Sequence, residues 1–353
     1  PFPTEFLVAG PPSLLRAGAF LGLAAAMAYA GRRHYLAVGR GALGLGGGAS
    51  PQTVWAARAL LITAVAAVAL LGGGGLGWPW AAAFVALSLL TVVVLARVVA
   101  ETGLFFVQSW WTPLGLIVAV VGVEAVDPTT FVVLALATTM LIADPRTSFM
   151  PYLTQALGLT EAAGVGVPRA LPRWMLVVIV GGFGVAAAAA LLVAHAHGTA
   201  SMDRWTGELL PAMPFDHLAS HIQHLGAVGV LGASGLGGAG TDAAVVGWLI
   251  AGVLLVGGCA VLSWRLPGWP VHPVLFVVWG TFPAALFGAS FLLGGLLKWA
   301  ATWAGGARLY RAALPAAVGV ILADVLAALG WSLVGAFYYL WTGLRPESVI
   351  ILP

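Results

Sequence analysis

Charge is what this sequence has least of: Asp, Glu, Lys and Arg make up 8% of its 353 residues, against 61% hydrophobic ones. A water-soluble domain carries roughly a quarter of its residues charged, and a chain of 353 residues is too long to hide so much apolar surface in one soluble core. The shortage argues against a soluble protein and makes lipid the expected solvent. Cysteine is scarcer still. Cys259 is the only one and lies in an apolar run, so no intrachain disulfide is possible and the redox compartment is undetermined. Basic tracts are missing too: the net charge is +3 without a cluster of Lys or Arg, and nucleic acid is not an expected partner. Strand-like alternation is also absent, the apolar runs from Leu14 to Leu340 being continuous. Lipid offers no partner to an unpaired backbone group, so such runs span it only as helices. The expected fold class is all-α, a polytopic integral membrane helix bundle forming one transmembrane domain over 1–353, with the lipid bilayer as its first partner.

What is abundant fits that reading. The 48 glycines, with many alanines, let membrane helices approach closely where no hydrophobic effect drives them together. The 15 tryptophans suit interface anchors better than a cofactor box. Apolar runs of about 17 to 25 residues place confident spans near Leu14 to Ala30, Trp55 to Leu71, Trp80 to Ala100, Pro172 to Ala196, Ala243 to Trp264 and Ala312 to Trp341. Two further stretches are apolar but broken. Leu104 to Ala143 is interrupted by Pro113, Glu124, Asp127 and Pro128, and Val274 to Trp303 by Pro283, Gly288, Gly294 and Gly295. Each reads as a pair of short helices, broken or re-entrant, or as two ordinary spans joined by a tight turn. In transporters, discontinuous helices build the binding site near the bilayer midplane. About eight to ten membrane segments result.

The loops set the orientation. Arg32, Arg33 and Arg40 lie in a loop at 31–54, and Arg146, Arg169 and Arg173 before the Pro172 span; the positive-inside rule puts both on the cytoplasmic side. The segment 198–242, with Arg204 as its one basic residue, then faces outward. Lys298, Arg308 and Arg311 reach the cytoplasm only if Val274 to Trp303 enters and returns, which favours a hairpin there. The chain starts at Pro1 without a methionine or a signal-peptide pattern, so a preceding segment is expected.

Few residues carry chemistry. Arg97 and Glu101, four apart, share a helix face and can pair; ionisable groups within a span are functional candidates because their burial is expensive. Arg97 also reads as a snorkelling helix end. Gly103 is expected to end that helix, and the site gains weight if Gln108 and Trp111 converge on it. Asp324, in Val320–Leu326, must face a partner, a pore or water, and can bind a proton or cation or pair with a base such as Lys298. Five of the seven histidines lie between His195 and His224. His217, His221 and His224 recur at helical spacing behind Asp216, read as an N-cap, and imidazoles so spaced can hold a transition metal. Leu218, Ile222 and Leu225 beside them instead make a short amphipathic helix at the outer interface, which explains the segment without metal. The GxGxxG match at Gly235–Gly240 has no strand before it and reads as a loop, as do Gly44 to Gly48. No serine, cysteine or paired-carboxylate arrangement argues for hydrolysis, so the chain is not expected to be an enzyme, and no cofactor is assigned.

Several strings in order carry a resemblance: Ala96–Gly103 (ARVVAETG), Arg146–Tyr152 (RTSFMPY), Ala156–Glu161 (ALGLTE), Trp269–Pro273 (WPVHP), Gly294–Trp299 (GGLLKW), Leu309–Pro315 (LYRAALP) and Gly319–Asp324 (GVILAD). Together they resemble a family of largely uncharacterised bacterial polytopic membrane proteins similar to the oligopeptide-transporter superfamily. Its members are longer, so the chain corresponds to their C-terminal part or to a shortened relative. The resemblance implies the bacterial inner membrane and transport of peptides, metal chelates or other small polar solutes, with Arg97, Glu101, Gln108, Lys298 and Asp324 as pathway candidates. The alternative is a non-transporting scaffold or accessory subunit of a larger complex holding pigments or quinones. The expected protein partners are a homo-oligomer or other membrane subunits.

Overall fold

The computed structural model describes residues 9–104, 107–142, 148–164, 166, 171–198, 205–228 and 243–344. No strand occurs among them, and six helices are long and apolar enough to cross a membrane. The helices are α1 (Pro11–Ala30), α2 (Arg32–Ala42), α3 (Pro51–Gly73), α4 (Trp78–Thr102), α5 (Pro113–Val121), α6 (Pro128–Leu141), α7 (Phe149–Ala162), α8 (Leu171–His197), α9 (Leu210–Val228), α10 (Ala243–Arg265), α11 (Val274–Val278) and α12 (Phe282–Thr342). The chain forms two compact units, dividing between Thr281 and Phe282.

Local sequence explains most of the boundaries. Proline with its fixed φ sits in the first turn of α1, α3, α4, α5 and α6. Side-chain oxygens of Ser50, Thr112 and Asp127 accept the amides of Thr53, Gly115 and Thr130, capping α3, α5 and α6. Gly103 closes α4 in the left-handed conformation, its amide bonded to the Val99 carbonyl.

In the first unit α1 lies along α10, and glycines set how closely. A Cβ on Gly18 would strike the backbone of Leu249, and one on Gly252 the Leu15 carbonyl. Bare backbone on both helices therefore brings their axes together, and dispersion between the closely approaching backbones replaces side-chain interdigitation. Around this pair, Phe20, Val94, Val98, Trp111, Val256 and Val277 form one buried core. A second core gathers Phe84, Leu114, Ile117, Phe131 and Leu134 with Leu218 of α9 packed against it. Helix α5 contributes to both, Leu116 to the first and Leu114 to the second.

The first broken stretch is a pair of short helices, α5 and α6, separated by Gly122, a 3-10 turn at Val123–Ala125 and the Asp127 cap. Pro113 opens α5 instead of interrupting a helix, and the described residues between Gly103 and Thr112 are not helical. The second stretch breaks elsewhere than expected. Helix α11 ends at Val278, the chain turns through Trp279–Thr281, and α12 runs through Gly288, Gly294 and Gly295. A lone glycine lowers helix propensity by only about 1 kcal/mol, which the surrounding apolar turns tolerate.

The second unit is α12, interrupted at Gly306 with φ 60° and ψ −155°, values that only glycine adopts readily. Lys298 and Tyr310 are twelve residues apart, about 18 Å along a straight helix. Yet the Lys298 ammonium lies 5.5 Å from the Tyr310 ring centre, so the chain bends at Gly306.

The loop expected at 31–54 contains the polar helix α2, and the expected loop before the Pro172 span contains α7, packed on α4. Arg146, Arg169 and Gly235–Gly240 lie outside the described residues.

Candidate functional site

The interruption after α4 collects polar groups. Arg97 and Glu101 form the expected ion pair, their side chains 53% and 26% exposed. A pair so open to solvent and four residues apart contributes about 0.3–0.5 kcal/mol, so it organises the site more than it stabilises the fold. Glu101 has a second neighbour that spacing does not reveal: His272 Nε2 stands 4.0 Å from Glu101 Oε2. His272 Nδ1 accepts the Val274 amide at 3.3 Å at the start of α11. With Nδ1 accepting, a neutral ring carries its proton on Nε2, facing the carboxylate. The separation exceeds a direct hydrogen bond.

The helix end beside this cluster is tied down. Thr102 Oγ1 donates to the Val98 carbonyl at 2.7 Å and accepts the Leu104 amide at 3.2 Å. Gln155 Nε2 of α7 donates to the Leu104 carbonyl at 3.2 Å. Gln108 is half-buried and makes no hydrogen bond or ion pair among the described residues, so His272 takes the place foreseen for Gln108. Trp111 lies in the core with Val94, Val98 and Val99 of α4 and meets Phe20 edge-on, ring centres 5.6 Å apart.

A second polar contact was missed because the partners are remote in sequence. Arg16 of α1 donates from Nε to the Trp279 carbonyl at 3.3 Å and from Nη2 to the Gly280 carbonyl at 2.7 Å. These carbonyls lie just beyond the end of α11, where a cation is favoured. Pro12, Leu15, Arg16, Leu255, Phe276 and Trp279 line an adjoining, mostly apolar pocket of about 230 Å³.

The histidine segment differs from its reading. Helix α9 starts at Leu210 and runs through Pro214, so Asp216 lies inside the helix and is not its N-cap. His221 is buried, its Nε2 is 2.9 Å from the Val126 carbonyl, and its ring stacks on Phe131 at 4.3 Å. It therefore joins the face that Leu218 and Leu225 turn inward. Burial lowers the pKa of His217, with Asp216 beside it acting in the opposite direction. The side chain of His224 lies outside the described set, and no group of three possible metal ligands occurs among the described residues.

In the second unit the Lys298 ammonium faces the Tyr310 ring, and Asp324 is exposed with no ion pair among the described residues. Of the alternatives open to Asp324, the pair with Lys298 is not formed.

The family model described as a family of unknown function, DUF6785, matches residues 8–343, and the chain belongs to that family. No curated protein and no solved structure matches it.

Proposed function

We propose that this member of a family of unknown function is a multi-pass protein of the bacterial inner membrane that carries a small polar solute across it. The observation that carries the reading is the non-helical backbone of the described residues between Gly103 and Pro113, which follows the helix that carries Arg97 and Glu101, with His272 beside Glu101. Irregular backbone at membrane depth is tolerated where it is enclosed by protein or lines a cavity, and carriers place their sites at such interruptions. Glu101, with an arginine and a histidine beside it, is the first candidate for proton coupling. Gln108 lies along the same unwound segment, and Asp324 is the second candidate for proton coupling. Lys298, like Asp324, is a polar candidate of the second unit, on α12. The solute class proposed, a peptide, a metal chelate or a similar polar molecule, rests on the sequence resemblance to the oligopeptide-transporter superfamily alone. No catalytic role is assigned.

One observation favours a second reading. No residue of α3 is buried, and α8 exposes most of its apolar length, including Val178, Phe183 and Leu192. Faces of this kind suit a scaffold subunit that packs against partner helices, pigments or quinones, although lipid covers them equally well. Purification from native membranes in mild detergent, followed by mass spectrometry of all that stays bound, separates the readings. Recovery alone or as a homo-oligomer supports the carrier. Recovery in fixed stoichiometry with other subunits or pigments overturns it.

A further inference from the structure

Arginines too dispersed in sequence to form a basic tract are gathered by the fold at one end of the first unit. Helices α1 and α10 run parallel, Gly18 lying against Leu249 and Gly22 against Val253, so their C-terminal ends lie together. There the rings of Tyr29 and Trp264 stack, centres 6.4 Å apart, and the Arg32 guanidinium lies 4.2 Å from the Tyr29 ring centre. Arg265, next to Trp264, ends α10. Arg32 begins α2, which is amphipathic: Arg33 and Arg40, seven apart, share one face, and Tyr35, Val38 and Ala42 take the opposite one. Arg58 of α3 reaches the far end of α2, donating from Nε to the Ala42 carbonyl at 2.9 Å.

Two of these five arginines are held by backbone: Arg32 Nη1 donates to the Tyr29 carbonyl at 2.8 Å, as Arg58 does to the end of α2. Arg33, Arg40 and Arg265 are exposed and make no hydrogen bond or ion pair among the described residues. Their own stretches of chain offer no acid, since no Asp or Glu occurs between Glu5 and Glu101 or between Asp242 and Asp324. Exposed Tyr and Trp rings at the ends of two apolar helices match the headgroup level of a bilayer, and an amphipathic helix with arginines on its polar face lies there as well. We propose that this end of the first unit binds the headgroups of anionic phospholipids, with Arg33, Arg40 and Arg265 as the anion-binding groups. A guanidinium donates charge-assisted hydrogen bonds to phosphate oxygens, and basic residues just beyond a membrane helix favour acidic lipid. Arg33 and Arg40 stand about 10 Å apart along α2, so the surface takes more than one headgroup and does not close on a single phosphate. A zwitterionic lipid offers the same phosphate, but its ammonium group opposes the arginines, so selection is by net charge. The inference rests on the membrane part of the proposed function and not on transport, and it holds for carrier and scaffold alike.

The test uses the full chain in dodecyl maltoside with added phosphatidylglycerol, phosphatidylcholine of the same acyl chains, or sodium phosphate. Phosphatidylglycerol is expected to raise the thermal unfolding midpoint above that in phosphatidylcholine, and to be the lipid retained in native mass spectrometry. An equal or lower midpoint overturns the proposal. Sodium phosphate that stabilises as much as phosphatidylglycerol would mark a soluble anion and overturn the lipid assignment. In the protein carrying Arg33→Gln, Arg40→Gln and Arg265→Gln, the preference is expected to fall about fivefold for each arginine removed. The corresponding lysine replacements should keep it. A preference undiminished in the glutamine variant places the lipid elsewhere and overturns the assignment. Should that variant not fold, a sodium chloride titration of the unaltered chain decides: the preference is expected to fade as salt screens the arginines, and one that salt leaves unchanged overturns it. Release of the chain from membranes by alkaline carbonate would contradict the membrane reading, whereas equal midpoints in a chain that resists carbonate would contradict the headgroup surface alone.

Discussion

Arg16 Nη2 meets the carbonyl oxygen of Gly280 at 2.7 Å, so a side chain of the first long helix holds backbone 264 positions further on. The contact closes the first unit: α1 carries the arginine, α11 ends just before its acceptors, and Gly280 has φ 67°. A cation within an apolar helix is costly unless its donors are used, and here two are satisfied by carbonyls past the end of a short helix.

Arg16→Met keeps the apolar stem and removes the donors, and is expected to destabilise the unit by about 1.5–3 kcal/mol, the usual range for hydrogen bonds to a charged group. Gly280→Ala is expected to cost about 1–2 kcal/mol for the left-handed backbone, and more because the new Cβ would lie 2.8 Å from Arg16 Nη2. Thermal unfolding in detergent gives both values. Faster amide exchange confined to Trp279–Thr281 would locate the effect.

Gly252→Val is expected to separate α1 from α10, because the added carbons meet the Leu15 carbonyl. Overpacking of this kind costs about 1–3 kcal/mol. Gly184→Ala in α8 is the contrast, since a Cβ there meets nothing within 4 Å. Its higher helix propensity predicts unchanged or greater stability, by up to about 1 kcal/mol. Unfolding curves of the two variants side by side check the difference.

His217 lies in α9, outside the six long helices, and burial holds its pKa below the ordinary value of 6.5 despite Asp216. The docked helix therefore prefers the neutral ring, and the detached one binds the proton more readily. The stabilisation is complete above the ordinary value and is lost as pH falls through the lowered one. The protection of α9 amides against exchange, taken relative to the intrinsic rate at each pH, should fall on acidification, and His217→Gln should flatten that dependence. An unchanged profile in the variant would assign the pH response to another group.

The long helices were legible because continuous apolar runs have no other solution in lipid. Five of the six expected spans match a helix to within four residues at each end, as with Trp80 to Ala100 inside α4. The sixth, Ala312 to Trp341, is part of α12 beyond its Gly306 break. The break expected at Pro283, Gly288, Gly294 and Gly295 was misplaced because glycines look alike in sequence: the chain turns at Trp279–Thr281, where Gly280 has φ 67°, and the helix that follows is interrupted only at Gly306. The Arg97–Glu101 pair was legible because its spacing is local. His272 and Arg16 were not, since their contacts depend on how distant helices pack. Asp216 has the chemistry of a cap, yet the helix had begun six residues earlier at Leu210.

The carrier reading is tested most directly by solute-evoked currents from the protein reconstituted in liposomes on a solid-supported membrane, with an imposed pH gradient and a panel of small carboxylates, peptides and metal chelates. The account predicts a current with at least one solute, abolished by Glu101→Gln or Asp324→Asn in protein that keeps its native oligomeric size. No current with any solute of the panel, or an undiminished current in both variants, would contradict it.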